Sequence, residues 1–234
     1  MLEAKLNSLL SALHLASPAL PVGGFAYSQG LEQAIEDRWV CDVDQAYVWI
    51  RDVMRLSLAR QELPWWLRCY DAAKSAQWDL LLEANTELCA LRETAEFRLE
   101  SLQMGYSMAK LFEQWPGTRL LAELSAHRAE RGASIAWSYP AAYAALAATS
   151  GVDHDTALAA YLWSWVENQV LAAMKTVPLG QIEGQQLLHR LKEDISAACE
   201  IAKAADMTQT GSAALGLALA SARHETQYSR LFRS

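Results

Sequence analysis

The sequence predicts an all-α fold, a compact single-domain bundle of about ten helices. No run of β-branched residues alternates at period two, and no Asn-Gly or Asp-Gly pair signals a hairpin. Alanine, leucine, glutamate, glutamine and arginine, which favour helices, dominate the chain. Hydrophobic residues make up 52% of the 234 positions and nine residues are tryptophan, so the chain has ample material for a core.

Proline, glycine and capping residues set the helix boundaries. The run Trp115-Pro116-Gly117 ends one helix, Pro140 lies in the first turn of another, and Asp153 caps the long helix that follows it. The predicted helices are 4–16, 24–38, 43–62, 64–74, 76–90, 92–115, 119–131, 140–149, 154–177, 181–204 and 207–222.

The first twenty residues resemble a weak signal peptide, but polar residues and Pro18 interrupt their apolar run. The apolar stretch 163–174 is likewise interrupted by the polar run 167–169, so we predict no membrane span. Leucines near the start recur at helical spacing instead, which predicts an amphipathic first helix. They are Leu6, Leu9, Leu10 and Leu13.

Charge divides the chain into an acidic body and a basic tail. The net charge is −7, and residues 223–234 hold three arginines against one glutamate, which leaves 17 basic and 26 acidic side chains before them. An acidic body argues against nucleic acid as a partner, because phosphate binding needs a basic face. The four cysteines form no C-x-x-C pair, which predicts reduced thiols and a cytoplasmic protein.

Motifs for nucleotide binding and catalysis are missing from the sequence. There is no G-x-x-x-x-G-K-[ST] loop and no G-x-S-x-G turn. The run His224-Glu225-Thr226-Gln227-Tyr228 begins like a zinc-protease motif but has tyrosine at the second ligand position. We therefore predict no catalytic residue, no metal site and no directly bound cofactor.

Two charged features remain open to more than one interpretation. Glu93, Glu96 and Glu100 are predicted to share one helix face, where they could do acid–base chemistry or form an exposed charged surface. Lys175 ends an apolar helix, where it could complement the helix dipole or, with Gln181 and Gln185, contact a partner protein.

The segment from Ser17 to Glu32 has the composition of a loop with a fixed shape. Two prolines and three glycines flank aromatic residues, and no charge occurs before its last residue. Such a loop is suited either to contact another surface or to connect two buried helices.

Residues 223–234 contain arginine, tyrosine and phenylalanine without an apolar stripe, which predicts a tail that is mobile alone and ordered by a partner. Residues 1–222 are then the helical domain.

Four stretches of this chain, in the same order, resemble the signatures of the UreF-type urease accessory proteins. The first runs from Ser17 to Glu32, the second from Arg92 to Gly105, the third from Trp165 to Gln181, and the last from His224 to Ser234. Together they span nearly the whole chain. One departure is Ala26, where the family more often has serine.

The resemblance implies an all-α adaptor that forms a homodimer and binds UreD (also called UreH) and the GTPase UreG. The assembly acts on apo-urease, and nickel insertion is coupled to GTP hydrolysis by UreG. On the UreD side the implied contacts are Pro21, Phe25, Tyr27, Tyr228, Arg230, Phe232 and Arg233; on the UreG side they are Lys175, Gln181 and Gln185. The alternatives are a nickel-binding carrier and, ranked last, an enzyme that uses the Glu93, Glu96 and Glu100 face.

Overall fold

The computed structural model describes residues 2–113, 120–130, 132 and 134–234, and within this part of the chain it contains helices and no strand. The all-α prediction is confirmed. The α-helices are α1 (Leu2–Leu15), α2 (Leu31–Glu36), α3 (Val43–Val53), α4 (Leu63–Lys74), α5 (Trp78–Ala90), α6 (Ala95–Phe112), α7 (Leu120–Glu130), α8 (Tyr139–Thr149), α9 (His154–Thr176), α10 (Gln181–Arg190), α11 (Lys192–Lys203) and α12 (Leu215–His224). A π-helical segment, Met54–Glu62, joins α3 to α4, and 3₁₀ turns lie at Gly24–Ala26 and Met207–Gln209.

Several predicted boundaries agree with the structure. Pro140 lies in the first turn of α8 behind a Ser138 cap, and the Asp153 carboxylate accepts a hydrogen bond from the Thr156 amide at the start of α9. The predicted helix break at residues 115–118 lies outside the described residues. None of the described helices combines the length and apolarity that a membrane span requires.

Three predicted helices are interrupted. In the span 24–38, Gln29 and Gly30 adopt left-handed φ angles, which a right-handed helix cannot include, so α2 begins only at Leu31. The span 181–204 is divided at Leu191 into α10 and α11. In the span 207–222, residues 210–214 are not helical, because the amides of Gly211 and Ala213 bond to carbonyls of the π-helical segment.

The chain divides into two compact units. Unit one comprises Met1–Gly23, Trp65–Leu91 and Ser101–Tyr161, and unit two comprises Gly24–Pro64, Arg92–Glu100 and Leu162–Ser234. Helices α4, α6 and α9 each contribute residues to both units.

The core of unit one is rich in aromatic rings. The buried Trp66 ring lies 5.8 Å from the rings of both Tyr70 and Tyr161 and 6.4 Å from that of Tyr143. Helix α8 is buried on all sides from Pro140 to Ala147, because its small alanines let neighbouring helices approach closely.

Asn85 on α5 binds the chain just before α8 through three hydrogen bonds. Its amide nitrogen donates to the Ala136 carbonyl at 3.0 Å, and its oxygen accepts from the amide and hydroxyl of Ser138 at 2.9 and 3.0 Å. Its side chain is buried, so every bond lost here leaves an unsatisfied polar group.

Asn85→Asp is expected to lower the free energy of unfolding by about 2 to 3 kcal/mol, because it removes the donor to Ala136 and buries a carboxylate against that carbonyl. Urea titration followed by tryptophan fluorescence measures the change. The exposed Asn7→Asp serves as the control and is expected to change stability by less than about 0.5 kcal/mol. Equal stability of the two variants would contradict the prediction.

Helix α6 approaches the chain before α8 so closely that only glycine fits at one position. A Cβ atom on Gly105 would overlap with the carbonyl oxygen of Trp137 and lie 2.8 Å from the carbonyl carbon of Ser138. These are main-chain atoms of the same unit and cannot rotate away.

Helix α1 packs against α8 with a face of mostly small side chains and turns the leucines of its opposite face outward. Ser8, Ser11, Ala12 and Leu15 form the covered face, of which Ala12 and Leu15 are buried. The leucines that predicted an amphipathic helix lie on the other face and are at least half exposed. The periodicity was predicted correctly, but the apolar stripe is not the face that this unit buries.

In unit two, α11 packs against the π-helical segment around a buried carboxylate. Asp194 accepts a hydrogen bond from the Tyr47 hydroxyl at 3.0 Å and pairs with the Arg55 guanidinium at 2.6 Å. Glu62 and Arg92 form a second, largely buried ion pair. Asp194 and Glu62 thus each have a partner of opposite sign, which offsets the cost of burying their charge.

Candidate protein-interaction surface

The loop before α2 is held by polar side chains of α9. Asn168 donates a hydrogen bond to the Tyr27 carbonyl at 3.0 Å, and the Trp165 indole donates to the Gln29 side-chain oxygen at 2.6 Å. These contacts give the loop a fixed shape. The Asn168 contact also explains one of the polar residues that interrupt the apolar stretch of α9.

The end of the tail lies against this loop. The amide and hydroxyl of Ser28 both donate to the main-chain oxygen of Ser234 at 2.7 Å, and the Gln29 amide donates to the same oxygen at 3.0 Å. One residue earlier, the Arg233 amide donates to the Ala26 carbonyl at 2.8 Å. We call residues 24–29 together with residues 226–234 the tail–loop surface.

Glu32 binds the main chain of the tail. One of its carboxylate oxygens accepts from the Leu231 amide at 2.7 Å, and the other accepts from the Phe232 amide at 2.9 Å. Hydrogen bonds to a charged group contribute about 1.5 to 3 kcal/mol each when they are well formed. Glu32 follows the loop directly on α2, so the same short segment holds the tail at several points.

His224 and Glu96 form a second attachment point. The imidazole of His224, which is fully buried, lies 2.7 Å from a Glu96 oxygen through Nδ1 and 3.4 Å from a Glu32 oxygen through Nε2. The Arg230 guanidinium donates to the other Glu96 oxygen at 2.6 Å. The basic residues of the tail therefore meet acidic residues of the body.

Glu100 forms the third attachment point and is buried. Its carboxylate accepts from the Ser234 hydroxyl at 2.6 Å and from the Gln29 amide nitrogen at 2.6 Å. Burial raises the pKa of the Glu100 carboxyl, and the two hydrogen bonds offset part of that rise. The predicted shared helix face of Glu93, Glu96 and Glu100 is wrong, because α6 begins at Ala95, after Glu93. The alternative of an exposed charged surface is wrong for Glu100, which is buried.

Glu100→Gln is expected to change how stability depends on pH. A carboxyl whose pKa is higher in the folded state than in the unfolded state contributes its full stability below the unfolded value, near 4.5, and loses it as pH rises through the folded value. The amide cannot ionise and can still bond both Gln29 and Ser234. The variant should therefore gain stability relative to the natural chain as pH rises above about 4.5. Urea unfolding at several pH values measures this, with the exposed Glu93→Gln as control, and parallel profiles for Glu100→Gln and the natural chain would contradict it.

Phe232 and Lys175 lie together, although the resemblance implied different partners for them. The Phe232 ring is 5% exposed, and the Lys175 ammonium lies 5.5 Å from its centroid. This is within the distance at which a cation interacts with an aromatic face. The tail thus touches the helix end that carries the implied contacts to a second protein.

Gln181 and Gln185 are exposed one turn apart on α10. Between them Gly184 packs so closely against Met174 that a Cβ atom there would overlap with the Met174 sulfur. This contact joins the start of α10 to the end of α9, next to Lys175.

The remaining predicted contact residues are mostly exposed. Tyr228 is fully exposed, Phe25 is 67% exposed, and Arg230 and Arg233 also lie at the surface. Tyr27 is buried, and its hydroxyl hydrogen-bonds the Arg233 side chain; burial raises the pKa of Tyr27, and the charge of Arg233 counteracts the rise. Pro21 belongs to unit one, where it is exposed.

Sequence reasoning missed the residues that hold the tail in place. The sequence marks Ser28, Gln29, Glu32 and Asn168 as members of longer stretches that resemble the family, and it predicts no contact between any of them and the tail. The one available signal was the contrast between an acidic body and a basic tail. Among the described residues, no group of three or more His, Cys, Asp or Glu side chains is arranged to hold a metal ion.

Fold and surface define an all-α protein whose C-terminal tail docks on its body and displays aromatic and basic side chains. The family model named UreF matches residues 40–192. The urease accessory protein UreF of Cupriavidus pinatubonensis is 46% identical over 236 residues, which cover 98% of this chain and 99% of that relative. That of Ectopseudomonas mendocina is 47% identical over 224 residues, which cover 95% and 97%. The chain belongs to the UreF family of urease accessory proteins.

Proposed function

We propose that this chain is an adaptor that joins UreD (UreH) to the GTPase UreG in the complex that matures apo-urease. Nickel is the cargo of this complex, and its insertion is coupled to GTP hydrolysis by UreG. The adaptor binds no cofactor itself, catalyses no reaction, and acts as a homodimer in the cytoplasm.

The tail–loop surface is the observation that carries this proposal. Tyr228, Arg233 and Phe25 are exposed there on segments whose main chain is fixed by Glu32 and Ser28. Aromatic and arginine side chains dominate interface energies, and a fixed backbone lowers the entropy lost on binding. We assign this surface, with Pro21, to UreD.

Lys175, Gln181 and Gln185 are proposed as the UreG side. They are exposed at the junction of α9 and α10, where the Gly184–Met174 contact fixes the geometry. Since Lys175 also covers Phe232, proteins bound at the two positions would be neighbours. That arrangement suits an adaptor whose role is to hold two partners side by side.

Size-exclusion chromatography and pull-down with UreD and UreG from the same source test the proposal. The full-length chain is expected to bridge the two proteins, and a chain cut after Ala222 is expected to lose UreD. Lys175→Ala is expected to lose UreG and urease activation, whereas the exposed Lys192→Ala keeps both.

Binding of neither protein by the intact chain would overturn the adaptor proposal. Equilibrium dialysis with nickel would then test the carrier alternative, which no observation on the described residues favours. Because Lys175→Ala also removes the cation over Phe232, Lys175→Arg keeps that contact and separates loss of UreG from release of the tail.

A further inference from the structure

Helix α1 exposes an apolar stripe with the spacing of a coiled coil. Leu2, Leu6, Leu9 and Leu13 follow each other at intervals of four, three and four residues, and they are 84%, 53%, 50% and 59% exposed. This is the a and d pattern of helices that pack side by side along a narrow seam. Leu10, which is also half exposed, widens the stripe. We call these five residues the α1 seam.

No other part of the described chain covers the α1 seam. The face that α1 turns toward α8 is made of Ser8, Ser11, Ala12 and Leu15, so the leucines point away from the unit. Monomeric proteins seldom leave a contiguous apolar patch in water unless it binds something. An amphipathic helix that lies on a membrane carries several lysines or arginines opposite its apolar face, whereas α1 has only Lys5 and buries that opposite face.

The spacing is self-complementary when two copies run antiparallel. Leu6 of one copy then faces Leu9 of the other and Leu2 faces Leu13, so each of the four a and d layers pairs leucine with leucine. A two-fold contact of this kind requires one patch that fits itself, which the symmetric spacing provides. Glu3 and Lys5, beside the seam, cancel each other on each copy, so like charge does not oppose the contact.

We propose that α1 of one copy packs antiparallel against α1 of a second copy through the α1 seam. This inference rests on the self-association proposed above and is independent of the bridging role. The contact is about 21 Å long and 10 Å wide, from the rise and width of a 14-residue helix. It would bury roughly 200 Å² on each copy, whereas a standard interface buries about 800 Å² on each partner. The seam alone therefore forms a weak dimer that dissociates on dilution.

Sedimentation velocity over a series of micromolar concentrations tests the inference. Leu6→Glu and Leu9→Lys are each expected to weaken self-association at least about tenfold, because each places a charge against leucine. Mixed in equal amounts, the two variants are expected to associate again, since positions 6 and 9 face each other and carry opposite charge. Leu80→Glu is the matched control, because Leu80 is 52% exposed on α5 of the same unit. Circular dichroism checks that all variants keep their helices.

Three results would overturn the inference. One is a natural chain that stays monomeric at every concentration, which would also remove the proposed self-association. Another is a dimer that both α1 variants leave intact, which would preserve self-association but place it elsewhere. The third is that each variant weakens the dimer but mixing the two variants does not restore it, which would reject the antiparallel register. Pull-down of UreD and UreG by the same variants reports on the adaptor proposal separately.

Discussion

Phe232→Ala is expected to release the tail from the body and to weaken binding of UreD at least about tenfold. The Phe232 ring is buried, and its loss removes about 1.5 to 3 kcal/mol of apolar burial as well as the contact with Lys175. A released tail must be ordered again when the partner binds, and this ordering lowers the affinity. Titration calorimetry with UreD measures the change.

Hydrogen exchange of the tail amides separates docking from partner binding. The amides of Leu231 and Phe232, which bond to Glu32, are expected to exchange roughly 10 to 100 times faster in Phe232→Ala. Leu231→Ala is the control next in the chain, since the Leu231 side chain is exposed and its amide bond is kept. Unchanged exchange in Phe232→Ala would contradict the docking argument, and unchanged affinity would reject the tail as the UreD contact.

Gly105→Ala is expected to destabilise the protein by about 3 kcal/mol or more. A methyl group there overlaps with the main chain at Trp137 and Ser138, and overpacking of this kind typically costs 1 to 3 kcal/mol even where side chains can adjust. The better helix propensity of alanine, worth about 1 kcal/mol, offsets only part of this. Urea unfolding followed by circular dichroism measures the difference.

Gly216→Ala on α12 is the matched control. Its added Cβ would lie 3.6 Å from the Trp49 ring, an ordinary contact distance, so the variant is expected to be neutral or up to about 1 kcal/mol more stable. If Gly105→Ala were as stable as Gly216→Ala, α6 would have room to move away from residues 137–138, and the close approach would not be a constraint.

Local patterns were sufficient to predict most helices but not their contacts. Pro140 and Asp153 act through residues one turn away, so their roles could be read directly from the sequence. The break at Gln29 and Gly30 was missed because a left-handed glutamine leaves no compositional signal. Residues 210–214 were missed because their amides bond to carbonyls some 150 positions earlier in the chain.

The candidate surface was predictable in composition and not in geometry. Aromatic and arginine residues marked the tail as a contact region, which needs no knowledge of the fold. The position of the tail depends on Glu32, Glu96 and Glu100, which come from two distant segments and whose burial the sequence does not encode locally. The α1 leucines show the same limit, since periodicity reveals a stripe but not which face the neighbouring helix covers.

Glu32 binds the main-chain amides of Leu231 and Phe232 and not the side chains of these residues. The amides that it binds are present whatever side chains residues 231 and 232 carry, and Ser28 likewise holds a main-chain oxygen. Anchoring is therefore largely separate from the outward-facing groups at positions 228, 231 and 233. A tail exchanged with that of another family member should dock on this body if it keeps His224, Arg230, Ser234 and an apolar residue at position 232, and it would then bring the donor's partner preference with it.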